Sequence, residues 1–277
     1  MGKKALLIGF GEVGQALAGG WRDAGIDVAV SAYDLKQDDP AALARLEADA
    51  DATGVTLLPH RPQAFRGVRH VFSLVTADQA LSAARRAASA MPAGAVFWDM
   101  NSVAPQTKRS AASAVQRAGL RYLDVGILSP IHPKRHRSPL AIAGSVDDEI
   151  EDAIASFGFQ AEVISHRIGD AAALKLLRSI VIKGLESLLV ECYIAGQKTG
   201  LTEKALRSLA PSFPGIDWAD RMAYVLERVR SHGPRRATEM EEAARFLDGI
   251  GVAPLMSQAA AKRLIQGTDG SDDGHFD

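Results

Sequence analysis

Six residues near the start of the chain restrict its fold more than any others. Gly9-Phe10-Gly11-Glu12-Val13-Gly14 has the spacing G-x-G-x-x-G. The spacing alone is weak, and its surroundings give it force. It follows the unbroken apolar run Ala5-Leu6-Leu7-Ile8 and opens a helical pattern over 13–24. Each glycine then has a task. The first permits the tight strand-to-helix turn, the second lets backbone approach a pyrophosphate, and the third lets the helix pack close to the strand. The helix start offers N–H groups and the positive end of its dipole to phosphate oxygens. The competing explanation is a plain glycine turn.

The pattern continues in kind. Strand-like runs at 27–32, 70–75, 95–100, 121–128, 140–143 and 161–165 alternate with helical patterns at 40–50, 77–90, 105–118 and 146–157. Such alternation predicts βαβ units and a mostly parallel sheet. Strands that are apolar without a break suit a sheet covered on both faces. Asp34 ends the second strand, 20 residues after Gly14. An acidic residue there accepts hydrogen bonds from the adenosine ribose hydroxyls. A 2′-phosphate would meet a like charge, worth roughly 4 kcal/mol at 4 Å and an effective dielectric of 20. NAD is therefore expected over NADP, with Lys36 offsetting part of the repulsion and keeping NADP open. The competing role for Asp34 is a turn or capping aspartate.

Past Gly169 the pattern becomes helical only. Residues 170–197 form one proline-free stretch, about 42 Å long at 1.5 Å per residue. It is apolar nearly all round, from Leu174 to Val190. A helix apolar on every side needs cover on every side, which a small helical domain cannot supply alone, so a homodimer is expected. Further helices are expected at 202–210, 217–230, 235–250 and 254–266. The fold expected is an α/β Rossmann domain with a doubly wound, mostly parallel sheet, followed by an all-α domain. The boundaries are 1–168 for the dinucleotide-binding domain and 169–266 for a helical substrate and dimerisation domain. The Gly- and Asp-rich tail 267–277 is expected to be disordered.

Composition narrows the function. A net charge of −1 supplies no field that would draw the chain to nucleic acid or to a membrane. Nor does it contain an apolar run long enough to span a bilayer. The first apolar run ends in the glycine motif instead of a small-residue cleavage site, so a cytoplasmic protein is expected. Cys192, the single cysteine, reads as a core thiol.

Taken together, the chain resembles the β-hydroxyacid dehydrogenase superfamily, which includes 3-hydroxyisobutyrate and 6-phosphogluconate dehydrogenases. It is most similar to a branch of phosphogluconate dehydrogenase-like NAD-binding proteins with a distinctive C-terminal helical domain. The resemblance spans about residues 4–266. It rests on the glycine motif, Ser73-Leu74-Val75-Thr76, Trp98-Asp99-Met100-Asn101-Ser102, Leu123-Asp124-Val125-Gly126, the helix with Gly169 and Lys175, and the segment from Asp217-Trp218 through Arg235-Arg236 to Glu239-Met240-Glu241. It implies that Val75 and Thr76 lie against the cofactor's ribose and that Asn101 and Ser102 face its nicotinamide side. Ser129 and Pro130 match a substrate-binding loop, and Lys175 matches the family's catalytic lysine.

The residues make a case of their own for Lys175. It is a cation between Ala171-Ala172-Ala173-Leu174 and Leu176-Leu177. Burial disfavours the charged form of a lysine, and a lysine tuned towards neutrality can take a hydroxyl proton as hydride leaves and return it in reduction. The competing reading is a snorkelling lysine at a helix edge. Two departures from the family matter. Ser179 stands where the family has an asparagine, and Ile182 where the decarboxylating sugar-phosphate members have a glutamate acid. The second departure argues against 6-phosphogluconate as substrate. The family's later lysine–aspartate pair has only Glu239 and Glu241 nearby, with Arg235 and Arg236 as alternative cations.

The basic run His132-Pro133-Lys134-Arg135-His136-Arg137 reads either as a solvated loop or as a mouth for an anionic substrate, and Arg178 is a candidate carboxylate ligand. No metal set accompanies these histidines. The expected reaction is hydride transfer between NAD, or NADP, and a small anionic β-hydroxy acid or related semialdehyde. The alternatives are an imine or short-aldehyde reductase on the same scaffold, from which Lys175 discriminates, and a non-catalytic dinucleotide sensor.

Overall fold

The computed structural model describes residues 3–59 and 62–269. The chain divides into two compact units, the first ending at Lys175 and the second beginning at Leu176.

The first unit is an eight-stranded sheet in the order β3-β2-β1-β4-β5-β6-β7-β8. The strands are β1 (Lys3–Ile8), β2 (Val28–Tyr33), β3 (Thr56–Leu57), β4 (His70–Ser73), β5 (Val96–Asp99), β6 (Arg121–Ile127), β7 (Leu140–Gly144) and β8 (Ala161–Ser165). The strands from β3 to β6 in that order pair in parallel, β7 runs antiparallel to β6, and β8 is parallel to β7. Helices α1 (Glu12–Asp23), α2 (Pro40–Thr53), α3 (Ala80–Ala88), α4 (Pro105–Arg117) and α5 (Asp148–Ser156) connect them.

Period-2 alternation divides the apolar strands between two cores. Leu7, Phe72 and Trp98 point into a core with Trp21 of α1, Leu46 of α2 and Phe157. Leu6, Ile8, Val71 and Phe97 point the other way, onto Ala83 and Ala84 of α3 and Ala111 and Val115 of α4. The sheet is covered on both faces, so its central strands carry apolar residues on both. The chain winds outward from β1 in both directions, to β2 and to β4. The connections after β1 and β4 therefore run to helices on opposite faces of the sheet, a switch point at the carboxyl ends of the strands, the place where open α/β sheets bind ligands.

The second unit is helical. Helix α6 (Asp170–Thr199) begins at the end of the first unit and continues into the second, followed by α7 (Thr202–Leu209), α8 (Trp218–Gly249) and α9 (Leu255–Asp269). Leu189 and Val190 pack with Met222, Val225, Met240 and Leu264. Helix α8 is broken at His232, whose φ of −142° is not helical, just before Pro234. The sequence-based division into helices at 217–230 and 235–250 reflects this break. The two-residue β3 was not anticipated. Within the single chain, helix α6 presents Leu174, Leu177, Val181 and Leu188 to solvent. Residues 267–269 belong to α9 rather than to a disordered tail, and the rest of the expected tail, 270–277, lies outside the described residues. Among the described residues, no helix is long and apolar enough to cross a membrane.

Candidate active site

The glycine motif forms the turn from β1 into α1. Gly9 has φ +89°, and a Cβ there would sit 2.6 Å from the Leu74 carbonyl oxygen. Only glycine lets the loops after β1 and β4 approach this closely. A Cβ on Gly14 would sit 2.9 Å from the Gly9 oxygen, so helix and strand could not close with a larger residue. Gly11 differs, since a Cβ there meets nothing within 4 Å. It is the N-cap of α1, and no side chain caps that helix start. The backbone thus presents an uncapped helix terminus to open space, which fits a pyrophosphate group.

That terminus opens into a cleft of about 920 Å³ lined by Phe10, Gly11, Glu12, Lys36, Arg45 and Arg135, among others. Val13 packs on the core beneath it. Asp34, at the end of β2, accepts the Phe10 N–H on Oδ2 at 2.8 Å and the Lys36 N–H on Oδ1 at 2.9 Å. It therefore pins the glycine turn and caps the 3-10 turn Leu35–Asp38. Capping does not exhaust the carboxylate, because each oxygen has a second lone pair for a ribose hydroxyl.

The basic run folds back towards this cleft. Arg135 pairs with Asp23 of α1, and His136 is buried where any side chain on Gly20 would collide with it. Burial, with Arg137 and Arg135 nearby, lowers the His136 pKa. His132 and Arg135 line the cleft together with Gly11. His132, Pro133, Lys134 and Arg137 are exposed.

The loops after β4, β5 and β6 emerge from the same edge of the sheet. The Val75 N–H donates to Asn101 Oδ1 at 2.7 Å, while Asn101 Nδ2 donates to Ser73 Oγ at 2.9 Å and Asp99 Oδ1 at 2.8 Å. Both amide donors of Asn101 are thus spent inside the protein. Thr76 is exposed at the start of a 3-10 turn, and Ser102 is half-buried. Ser129 is half-buried with its hydroxyl donating to the Pro130 carbonyl at 3.0 Å, and Pro130 is exposed.

Lys175 lies in the second turn of α6, half-buried. A Cβ on Gly126 of β6 would stand 2.8 Å from the Ala171 oxygen and 3.6 Å from the Lys175 Cβ. The missing side chain lets α6 lie directly against the carboxyl end of β6. Asp124 fixes the start of the helix, with Oδ2 accepting the N–H groups of Gly169 at 3.0 Å and Ala172 at 3.2 Å.

A buried charge cluster under these loops was not singled out in the sequence. Lys108, 0% exposed, donates to the Asp99 carbonyl at 2.6 Å and to Asp99 Oδ1 at 2.9 Å, and lies 3.4 Å from Asp124 Oδ1. The Tyr122 hydroxyl donates to Asp99 Oδ2 at 2.7 Å. Burial, then the Asp99 charge, pushes that phenol well above its usual pKa. A signal did exist. Lys108 shares the helical face of Ala111, Ala112 and Val115, an apolar face on which a lysine is out of place.

In the second unit, Ser179 is buried and accepts from Lys183 Nζ at 3.5 Å. Lys183 pairs with Glu239 at 2.6 Å, and buried Glu186 pairs with Arg236. Glu239 and Arg236 were noted in the sequence, but their α6 partners Lys183 and Glu186 were not. Arg178 is exposed. Among the described residues, no group of His, Cys, Asp or Glu has the arrangement of a metal site.

Residues 4–157 match the NAD binding domain of 6-phosphogluconate dehydrogenase. The chain belongs to that family. Membership places this 6-phosphogluconate dehydrogenase-type domain among NAD(P)-binding oxidoreductases and accounts for the uncapped α1 terminus and the glycine turn. Residues 197–266 match a domain of unknown function, DUF1932. A conserved hypothetical protein from Sinorhizobium meliloti 1021 is 34% identical over 100% of this chain and 92% of its own, with a TM-score of 0.79. MTH1747, a conserved protein of unknown function described as structurally similar to 3-hydroxyacid dehydrogenases, is 29% identical over 97% and 98%, with a TM-score of 0.73. The 3-hydroxyisobutyrate dehydrogenase of Mycobacterium tuberculosis, solved with L-serine, shares the fold at a TM-score of 0.78 and 16% identity, covering 98% of this chain and 95% of its own.

Proposed function

We propose that this protein is an NAD(P)-dependent dehydrogenase or reductase acting on a small β-hydroxy acid or a related semialdehyde, with Lys175 as general acid and base. One observation carries the reading. Lys175 is held against the carboxyl end of β6, on the edge of the sheet from which the uncapped Gly9–Gly14 turn and the Val75 and Asn101 loops also emerge.

The bound dinucleotide would supply the hydride acceptor or donor. Gly9, Phe10, Gly11, Glu12, Val13 and Gly14 bind its pyrophosphate through backbone N–H groups, and Asp34 orients its ribose. The Asp34 charge favours NAD, and Lys36 and Arg45 in the cleft moderate that preference. Val75, Thr76, Asn101 and Ser102 form the wall beside the nicotinamide end. The Lys175 amine takes the proton of the substrate hydroxyl during oxidation and returns it in the reverse direction. Ser129, Pro130, Arg178 and Ser179 are assigned to the substrate, with Arg178 as the cation for its carboxylate. An amine base suits a hydroxyl-bearing carbon, which favours this reading over an imine reductase. The apolar residues that α6 leaves exposed support a homodimer.

The test is a panel of β-hydroxy acids assayed with NAD and with NADP, followed by Lys175→Ala on whichever substrate turns over. The variant should bind cofactor as the parent does and lose about 10²–10⁴-fold in kcat. Undiminished turnover would remove Lys175 from the chemistry.

A further inference from the structure

Two chains of contacts leave the buried Lys108 ammonium. One runs through Asp99. Its backbone carbonyl and Oδ1 accept from Lys108, and the same Oδ1 accepts the Asn101 N–H at 3.0 Å and Asn101 Nδ2 at 2.8 Å. Asn101 in turn holds the Val75 N–H. The other runs through Asp124, whose Oδ1 faces Lys108 at 3.4 Å while Oδ2 holds Gly169 and Ala172 in the first turn of α6. One cation therefore joins the loop beside the cofactor cleft to the helix that carries Lys175.

The cluster contains one cation and two carboxylates, all 0% exposed. Taking such charges out of water is costly, and an apolar side chain would fill the same space more cheaply. Burying a lysine here gains a fixed geometry between two loops distant in sequence. We propose that Lys108 is a positioning residue for the reaction assigned above. It touches neither substrate nor cofactor, and it sets the register between the Val75–Asn101 wall and the Lys175 amine. This rests on the dehydrogenase reading.

Lys108→Met keeps the stem of the side chain and removes the ammonium. Lys108→Met combined with Asp124→Asn brings the net charge of the cluster back to that of the parent. The side-chain amide that Asp124→Asn introduces can still accept the α6 N–H groups through its carbonyl. In the single variant, the Kd for cofactor should stay within about threefold, while kcat falls about a hundredfold, the loss expected from a misplacement near 1 Å. Amide hydrogen exchange should quicken about tenfold at 74–76 and 169–175 but not in β1 or α1. The double variant should regain thermal stability without regaining kcat.

Three results would overturn the proposal. They are kcat returning together with stability in the double variant, a single variant with kcat within threefold of the parent, and exchange that is unchanged in both segments or faster everywhere. Failure of both variants to fold would also make Lys108 a structural requirement only. If the parent turns over no hydroxy acid, the dehydrogenase reading falls by itself, and the exchange pattern alone then decides whether Lys108 couples the two segments.

Discussion

Asp34 shows how much one side chain can carry and how the sequence reveals only part of it. Its place at the end of β2 pointed to the ribose. The structure adds two backbone N–H groups, one from the glycine turn and one from the turn after β2. Asp34→Asn keeps one acceptor oxygen and removes the charge. The ratio of kcat/KM for NAD to that for NADP should fall about tenfold, less than the full Coulomb term because the site is partly solvated. Kinetics with both cofactors checks this, and an unchanged ratio would assign cofactor choice to Lys36 and Arg45. Gly9 was legible for a related reason, since its φ of +89° and its approach to Leu74 are what the motif demands. Gly9→Ala should cost about 1–3 kcal/mol through backbone strain alone, readable as a lowered urea midpoint. Asn101 was less legible. The family resemblance implied the nicotinamide side, but whether its donors are free depends on Ser73 and Asp99, which only the folded sheet brings beside it.

At the scale of the element, the strands and helices of the first unit were readable because their apolar periods are long and clean. Strand β3 was not, since two residues carry no period and it exists by pairing with β2. Helix α6 was readable as a helix but not in its faces. Leu176, Leu189 and Val190 are buried while Val181 and Leu188 are 68% and 55% exposed, a difference that residue type cannot show. Strand β4 adds a dependence on pH. His70 at its start is buried, accepts the Trp98 indole N–H on Nδ1 at 3.3 Å, and packs edge-on to Phe157. Burial, aided by the nearby Arg69 charge, lowers its pKa from 6.5 to about 4. The folded state therefore resists a proton that the unfolded state accepts. The contribution is intact above about pH 6.5 and is lost as pH falls towards 4, amounting to about 3 kcal/mol in full. His70→Phe removes the titration. Between the two pH limits, its urea midpoint should drop less than that of the parent, and parallel curves would show that His70 does not drive the acid sensitivity.

For the whole molecule, the change from strand-type to helix-only pattern near Gly169 gave the order of the two parts. The compact units divide at Lys175, inside the helix that the pattern had given whole to the second part. Substrate identity was not legible, because it depends on side chains that spacing along the chain cannot bring together. Self-association belongs to this scale as well. Leu174, Val181 and Leu188 recur every seven residues along α6 with Leu177 between them, and all four are exposed. A seven-residue recurrence keeps a stripe on one side of a helix, the arrangement two helices use to pack along each other. Isolated exposed apolar residues need no explanation, but a continuous stripe favours a partner that can cover it. A second copy of the same helix would offer the matching stripe, and a twofold axis would bring the two together without leaving an open end. Val181→Glu would place a charge in the middle of that contact. It should weaken the dimer by at least about tenfold in Kd, roughly 1.4 kcal/mol, while the isolated subunit keeps its helical signal. Light scattering over a dilution series reads this directly. A parent that stays monomeric at every concentration would remove the dimer, and a variant that dimerises as tightly as the parent would move the interface off this face of α6.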